Sequence, residues 1–91
     1  MVFAKQLRER IRRGEITRTV RIWQSCHVRV GGRYRLGDGH VVVTAVLPIT
    51  LNDLSGSLAR QCGFKGVVDL LKIAQHGPGR NVFLIDFHYE E

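Results

Sequence analysis

Glycine cuts every apolar run in this sequence before it outgrows a single helix or strand. Gly14 closes the first run, Gly31-Gly32 and Gly37-Asp38-Gly39 flank a short one, Gly63 and Gly66 divide a helical stretch, and Gly77-Pro78-Gly79 precedes the last. A chain divided this way builds short elements joined by tight turns. Its 91 residues carry apolar surface for one core, so residues 1–91 are expected to form a single domain.

The spacing inside each segment predicts its structure. Phe3, Ala4, Leu7 and Ile11 recur at helical intervals, with Lys5, Arg8 and Arg12 turned elsewhere. From Thr17 to Trp23 the pattern alternates: Val20 and Ile22 share one face, and Thr17, Thr19, Arg21 and Trp23 the other, which predicts a strand with a polar working face. Gly37-Asp38-Gly39 supplies positive-φ positions for a hairpin between Arg33-Tyr34-Arg35-Leu36 and a strand from His40 to Leu47. That strand is β-branched on both faces over 41–46 and is expected to lie buried on both, with Pro48 ending its pairing. A second helix is expected from Thr50, capped by Thr50 or Asn52, with Leu51, Leu54, Leu58 and Ala59 inward and Gly63 at its end. A third follows over Gly66 to His76, with Asp69 placed to pair with Lys72, and a last strand alternates from Asn81 to Tyr89. The expected class is α+β, a small, mainly antiparallel β-barrel with about three helices packed on it.

Charge narrows the function. Residues 1–35 hold ten cations against two carboxylates, a local net of +8, whereas residues 36–91 sum to −2 within a total of +6. Nine of the ten early cations are arginine, whose planar fork binds phosphate at two points and stacks on bases. The bias points to a nucleic-acid partner, with a merely solvated basic face as the plainer alternative. The longest apolar stretch, 41–49, is about half the ~18 residues of a membrane-spanning helix, and no secretory signal precedes Lys5. No membrane partner is expected, and the cytoplasm is the default address. Cys26 and Cys62 stand apart, without a Cys-x-x-Cys pair, and are expected as free thiols; no metal or cofactor spacing is present.

At Gly14-Glu15-Ile16-Thr17-Arg18-Thr19-Val20-Arg21 the sequence resembles the Gly-x-Lys-x-x-Thr-x-Arg signature of ASCH domains, the RNA-associated branch of the PUA-like barrels. Val30-Gly31-Gly32-Arg33-Tyr34 is similar to the family's Val-Gly-Asp/Gly-x-Tyr turn. The stretch from Ile49-Thr50-Leu51-Asn52-Asp53-Leu54 through Gly63-Phe64 and Val68-Asp69-Leu70-Leu71 to a closing 82–87 strand resembles its second half. The likeness covers nearly the whole chain and is to small, single-domain members of bacterial type. It implies a PUA-like barrel with a cleft beside the first helix, where relatives bind RNA or a modified nucleoside. Related amidohydrolases that deacetylate N(4)-acetylcytidine use the signature lysine, its threonine and a glutamate. Here Ile16 replaces that lysine, and an aliphatic chain neither holds nor moves a proton. The glutamate's place falls near Gln61, Cys62 or Gly63.

The reading is therefore a noncatalytic RNA- or nucleotide-binding module using a basic cleft between the first helix and the first long strand, with no catalytic residue assigned. Thr19, Arg21, Trp23, Arg18 and Gly14 are the expected ligand-binding residues, and Arg8, Arg12, Arg13, Arg33 and Arg35 the expected contacts to a nucleic-acid backbone. Two alternatives stay open: a hydrolase in which Glu15, Lys65 or Cys62 substitutes for the lysine, and a basic protein-interaction domain. Cys26-His27 is a weaker candidate for nucleophile chemistry, because adjacent strand residues point apart.

Overall fold

The computed structural model describes residues 1–75 and 77–91. Helix α1 (Lys5–Arg12) is followed by β1 (Arg18–Trp23), β2 (Arg33–Leu36) and β3 (Gly39–Ile49), then a 3₁₀ turn (Leu51–Asp53), α2 (Gly56–Gln61), α3 (Val67–Ala74) and β4 (Asn81–Glu90). All strand pairs are antiparallel, in the order β1-β4-β3-β2. The last strand in sequence thus lies between the first and third, and the sheet curls into a half-barrel. The α+β class and the three helices are as expected; the barrel stays open, because β1 and β2 are edges that do not meet among the described residues.

Each sheet face has its own helical cover. Val20, Ile22 and Val82 face α2 and α3, packing on Ala59, Cys62, Leu70 and Ala74. On the inner face Leu36, Val41 and Phe87 meet Phe3, Leu7, Ile11 and Ile16, so α1 closes one end of the half-barrel; Trp23, Val28, Val43 and Ile85 fill the rest. Each aliphatic side chain fully buried here contributes roughly 1.5–3 kcal/mol.

Several local expectations change. β3 is buried at Gly39, Val41 and Val43; Thr44, Ala45 and Leu47 are exposed, beyond the first part of the strand that β2 covers. Pro48 does not stop the strand. It pairs with Phe83, and Ile49 with Val82, because that stretch of β3 has no partner on its far side and a missing N–H costs nothing there. At the hairpin only Gly37 takes a positive φ (+60°); Gly39 is required for a different reason, since a Cβ would strike the Glu90 carbonyl and the Tyr89 ring. The second helix is split. Asp53 accepts from the Thr50 N–H (2.8 Å) and hydroxyl (3.1 Å) and closes a single turn, Leu54 is extended, and Ser55 then caps α2 by accepting from the Leu58 N–H (3.1 Å). Leu51 is left exposed. The third helix ends at Ala74; His76, at its expected end, lies outside the described residues. Asp69 occupies the first turn of α3 and makes no ion pair with Lys72, standing instead where a carboxylate complements the helix dipole. Both cysteines are free, Cys26 exposed and Cys62 buried. No helix among the described residues is long and apolar enough to cross a membrane.

Candidate nucleic-acid interface

Lys5, Arg8, Glu9 and Arg12 stand at helical positions i, i+3, i+4 and i+7, so they share the one face of α1 that turns away from Leu7 and Ile11. That face looks across to the β2–β3 hairpin and not to β1, where the cleft was expected, because the inward face of α1 is the one packed on the half-barrel. Between them runs a groove of about 520 Å³, lined by Lys5, Arg8, Glu9, Arg12 and Arg35 with Leu36, Gly37 and the Met1-Val2 segment. The Arg8 Nε donates to the Phe3 carbonyl (3.2 Å), fixing its stem, and the Arg12 guanidinium lies over Gly37 in space a Cβ there would reach. Arg12 comes within 3.7 Å of Glu9, a loose exposed pair that leaves its remaining N–H groups to solvent or ligand. Four cations against one carboxylate give this concavity a strongly positive lining.

The other expected backbone contacts lie apart from it. Arg13 pairs with Glu15 (2.7 Å) and Arg33 with Glu90 (3.0 Å). Arg18 lies on the opposite side of the sheet, where it grips both Asp86 oxygens (2.7 and 3.3 Å) and donates to the Gln61 side-chain oxygen (3.0 Å). With Glu15, Thr17, Thr44 and Phe87 these groups line a polar hollow of about 510 Å³. Gly14 takes φ +79° and ends α1; its backbone is structural.

The strand expected to carry the base pocket alternates as read, but its polar face is not a working surface. Thr19 is 7% exposed, Arg21 4% and Trp23 4%. The half-barrel curls over this face, so side chains that an open sheet would present to solvent point into the core. The Arg21 Nε donates to the Thr19 hydroxyl (3.3 Å), and the guanidinium carbon lies 4.9 Å from the centre of the Phe3 ring. Burial pushes Arg21 down to about 10, so it keeps its charge at neutral pH. Trp23 stacks on His27 with ring centres 4.5 Å apart. Arg21, Trp23, His27 and Val28 line a small hollow of about 240 Å³ under Met1 and Val2, the same two residues that form one wall of the basic groove. Thr19 does not line it. Tyr34 and Tyr89 use their hydroxyls internally, accepting from the Arg29 N–H and donating to the Leu36 carbonyl (both 3.1 Å).

Ile16 is 2% exposed and packs among Phe3, Leu7, Ile11, Leu36, Val41 and Phe87. This side chain is therefore part of the core. The Cys62 thiol is pushed up to about 11 by burial and stays protonated at neutral pH, which removes its nucleophilic form. Among the described residues no three His, Cys, Asp or Glu side chains group in a way that could hold a metal ion.

Sequence reasoning overlooked Lys5 and Glu9 as members of the groove, although the five-eight-nine-twelve spacing carried the signal. It had no means of pairing Arg18 with Gln61 and Asp86, which stand 43 and 68 residues away. Neither a family model, nor a curated protein, nor a solved structure matches this chain.

Proposed function

We propose that this protein is a noncatalytic RNA-binding module that holds the phosphate backbone in the groove between α1 and the β2–β3 hairpin. The observation that carries the reading is the convergence of Lys5, Arg8, Arg12 and Arg35 on one concavity with a single opposing carboxylate. Arginine forks at a groove wall suit phosphodiester oxygens, which accept from two N–H groups at once. In this reading the domain is an ASCH-like member of the PUA-like group working in the cytoplasm. Support for that assignment comes from the Gly14-to-Arg21 motif between the first helix and first strand, and from an antiparallel half-barrel closed by that helix. The buried aliphatic Ile16 and the protonated Cys62 favour binding over hydrolysis.

Titrating the protein with a single-stranded oligoribonucleotide over a salt series tests this. Affinity falls log-linearly with salt, and replacing both Arg8 and Arg12 by Ala makes the slope shallower by about 1.4, since each single-strand phosphate contact contributes ~0.7. Binding that ignores salt, or that both substitutions leave untouched, refutes the assignment.

A further inference from the structure

The outer face of the sheet beyond the groove carries a second cluster. Arg33 pairs in register with Val42 and Val42 with His88; one row on, Arg35 pairs with His40 and His40 with Glu90. Alternation puts all six on the same side, opposite buried Val41, and none of them belongs to the clusters packed under the helices among the described residues. Here the Glu90 carboxylate is held by both its oxygens: the Arg33 Nη1 donates to one (3.0 Å), and the His88 Nε2 lies 2.6 Å from the other. An ionised carboxylate only accepts, so Nε2 carries the proton of that bond. Arg35, between this cluster and the groove, lines the groove itself.

We propose that Arg33 and His88, joined to the groove through Arg35, form a second phosphate subsite for the RNA, and that Glu90 occupies it in the free protein as an internal stand-in for phosphate. The inference rests on the RNA-binding reading above. Two donors converging on two oxygens of one anion match a phosphodiester as well as a carboxylate. The pair is exposed, and exposed ion pairs are weak, so a phosphate arriving on an already anchored strand displaces Glu90 at little cost. A free phosphate or mononucleotide lacks that anchorage and meets the Glu90 charge instead. The subsite therefore favours a strand long enough to reach from α1 past Arg35. The hydrogen bond from His88, and then that from Arg33, hold the Glu90 carboxyl below its usual range, keeping it ionised at neutral pH.

The test compares Glu90→Gln with Glu91→Gln, which removes the same charge one residue away at an exposed site in no ion pair among the described residues. Binding of a labelled oligouridylate is read by anisotropy, beside uridine monophosphate and inorganic phosphate as competitors. Glu90→Gln is expected to bind the oligouridylate about fivefold to tenfold tighter, with a steeper salt slope, and Glu91→Gln to change it less than about twofold. Adding Arg33→Ala to Glu90→Gln cancels the gain, and neither small anion competes in the wild type at matched phosphate concentration. Equal effects of the two Gln variants, or a gain that survives Arg33→Ala, overturns the subsite and leaves the groove standing. A wild-type protein without salt-dependent binding overturns the groove reading and this one with it. Should Glu90→Gln lower the melting point, the His88 imidazole ¹⁵N resonance of the wild type serves instead. It shifts on adding oligouridylate and not uridine monophosphate; a resonance that stays put refutes the displacement of Glu90.

Discussion

Ile16 belongs to the packing of the domain and not to its surface. Its neighbours are the aliphatic and aromatic groups that fasten α1 to the half-barrel, so a cation at this position would be buried without a counter-charge. Ile16→Lys is expected to cost about 3 kcal/mol or more, read as a lowered midpoint in urea, and to confer no release of cytidine from N(4)-acetylcytidine. The two thiols behave as differently as their surroundings. Cys26 is exposed, while Cys62 is buried with its thiol held up to about 11. Iodoacetamide at pH 8 should therefore place one adduct on the native protein, at Cys26, and a second only after denaturation. Equal labelling of both in the native state would contradict the packing of α2 on β1.

At the scale of elements, α2 and the turn before β4 are the most sensitive pieces. Ser55 supplies the side-chain cap of a six-residue helix, and Ser55→Ala is expected to lose about 1 kcal/mol, measurable by chemical denaturation. Gly79 presses on the backbone at the end of β1, where an added Cβ would collide with Trp23 and Gln24 main-chain atoms that cannot move aside. Gly79→Ala should lower stability by more than Ser55→Ala, and the same denaturation series ranks the two. Nearly every element could be read from spacing, because helix α1, strand β1 and strand β4 each keep one period throughout. Errors arose where a tertiary partner decided the outcome. Pro48 continues a strand because no neighbour needs its N–H, and Leu51 leaves the core because Asp53 closes the chain on Thr50 first. The candidate site was legible as charge and not as geometry. Thr19, Arg21 and Trp23 do share a face, but whether that face meets solvent depends on sheet curvature, which no local pattern encodes.

The molecule as a whole is assembled by its end. β4 pairs with both β1 and β3, and its Ile85 and Phe87 complete the interior, so neither half of the chain has a finished core before residues 81–90 dock. Removing β4 should leave a chain without cooperative unfolding, a result checked by loss of the thermal transition. The charge asymmetry acquires a spatial meaning at this scale, since +8 over residues 1–35 concentrates on α1, β1 and β2 while the later carboxylates Asp86 and Glu90 come back to neutralise Arg18 and Arg33. The outward side of α1, with Lys5, Arg8 and Arg12 against Glu9, keeps a net positive charge.

That same helix shuts the interior with Leu7 and Ile11. In the proposed binding mode, cohesion and recognition are thus mounted back to back on eight residues, and an occupant of the outer side resists the fluctuations that lift the inner one. Saturation at a hundred times Kd then adds about 2.7 kcal/mol to unfolding. Amide exchange in this first helix is then expected to slow when the groove is occupied.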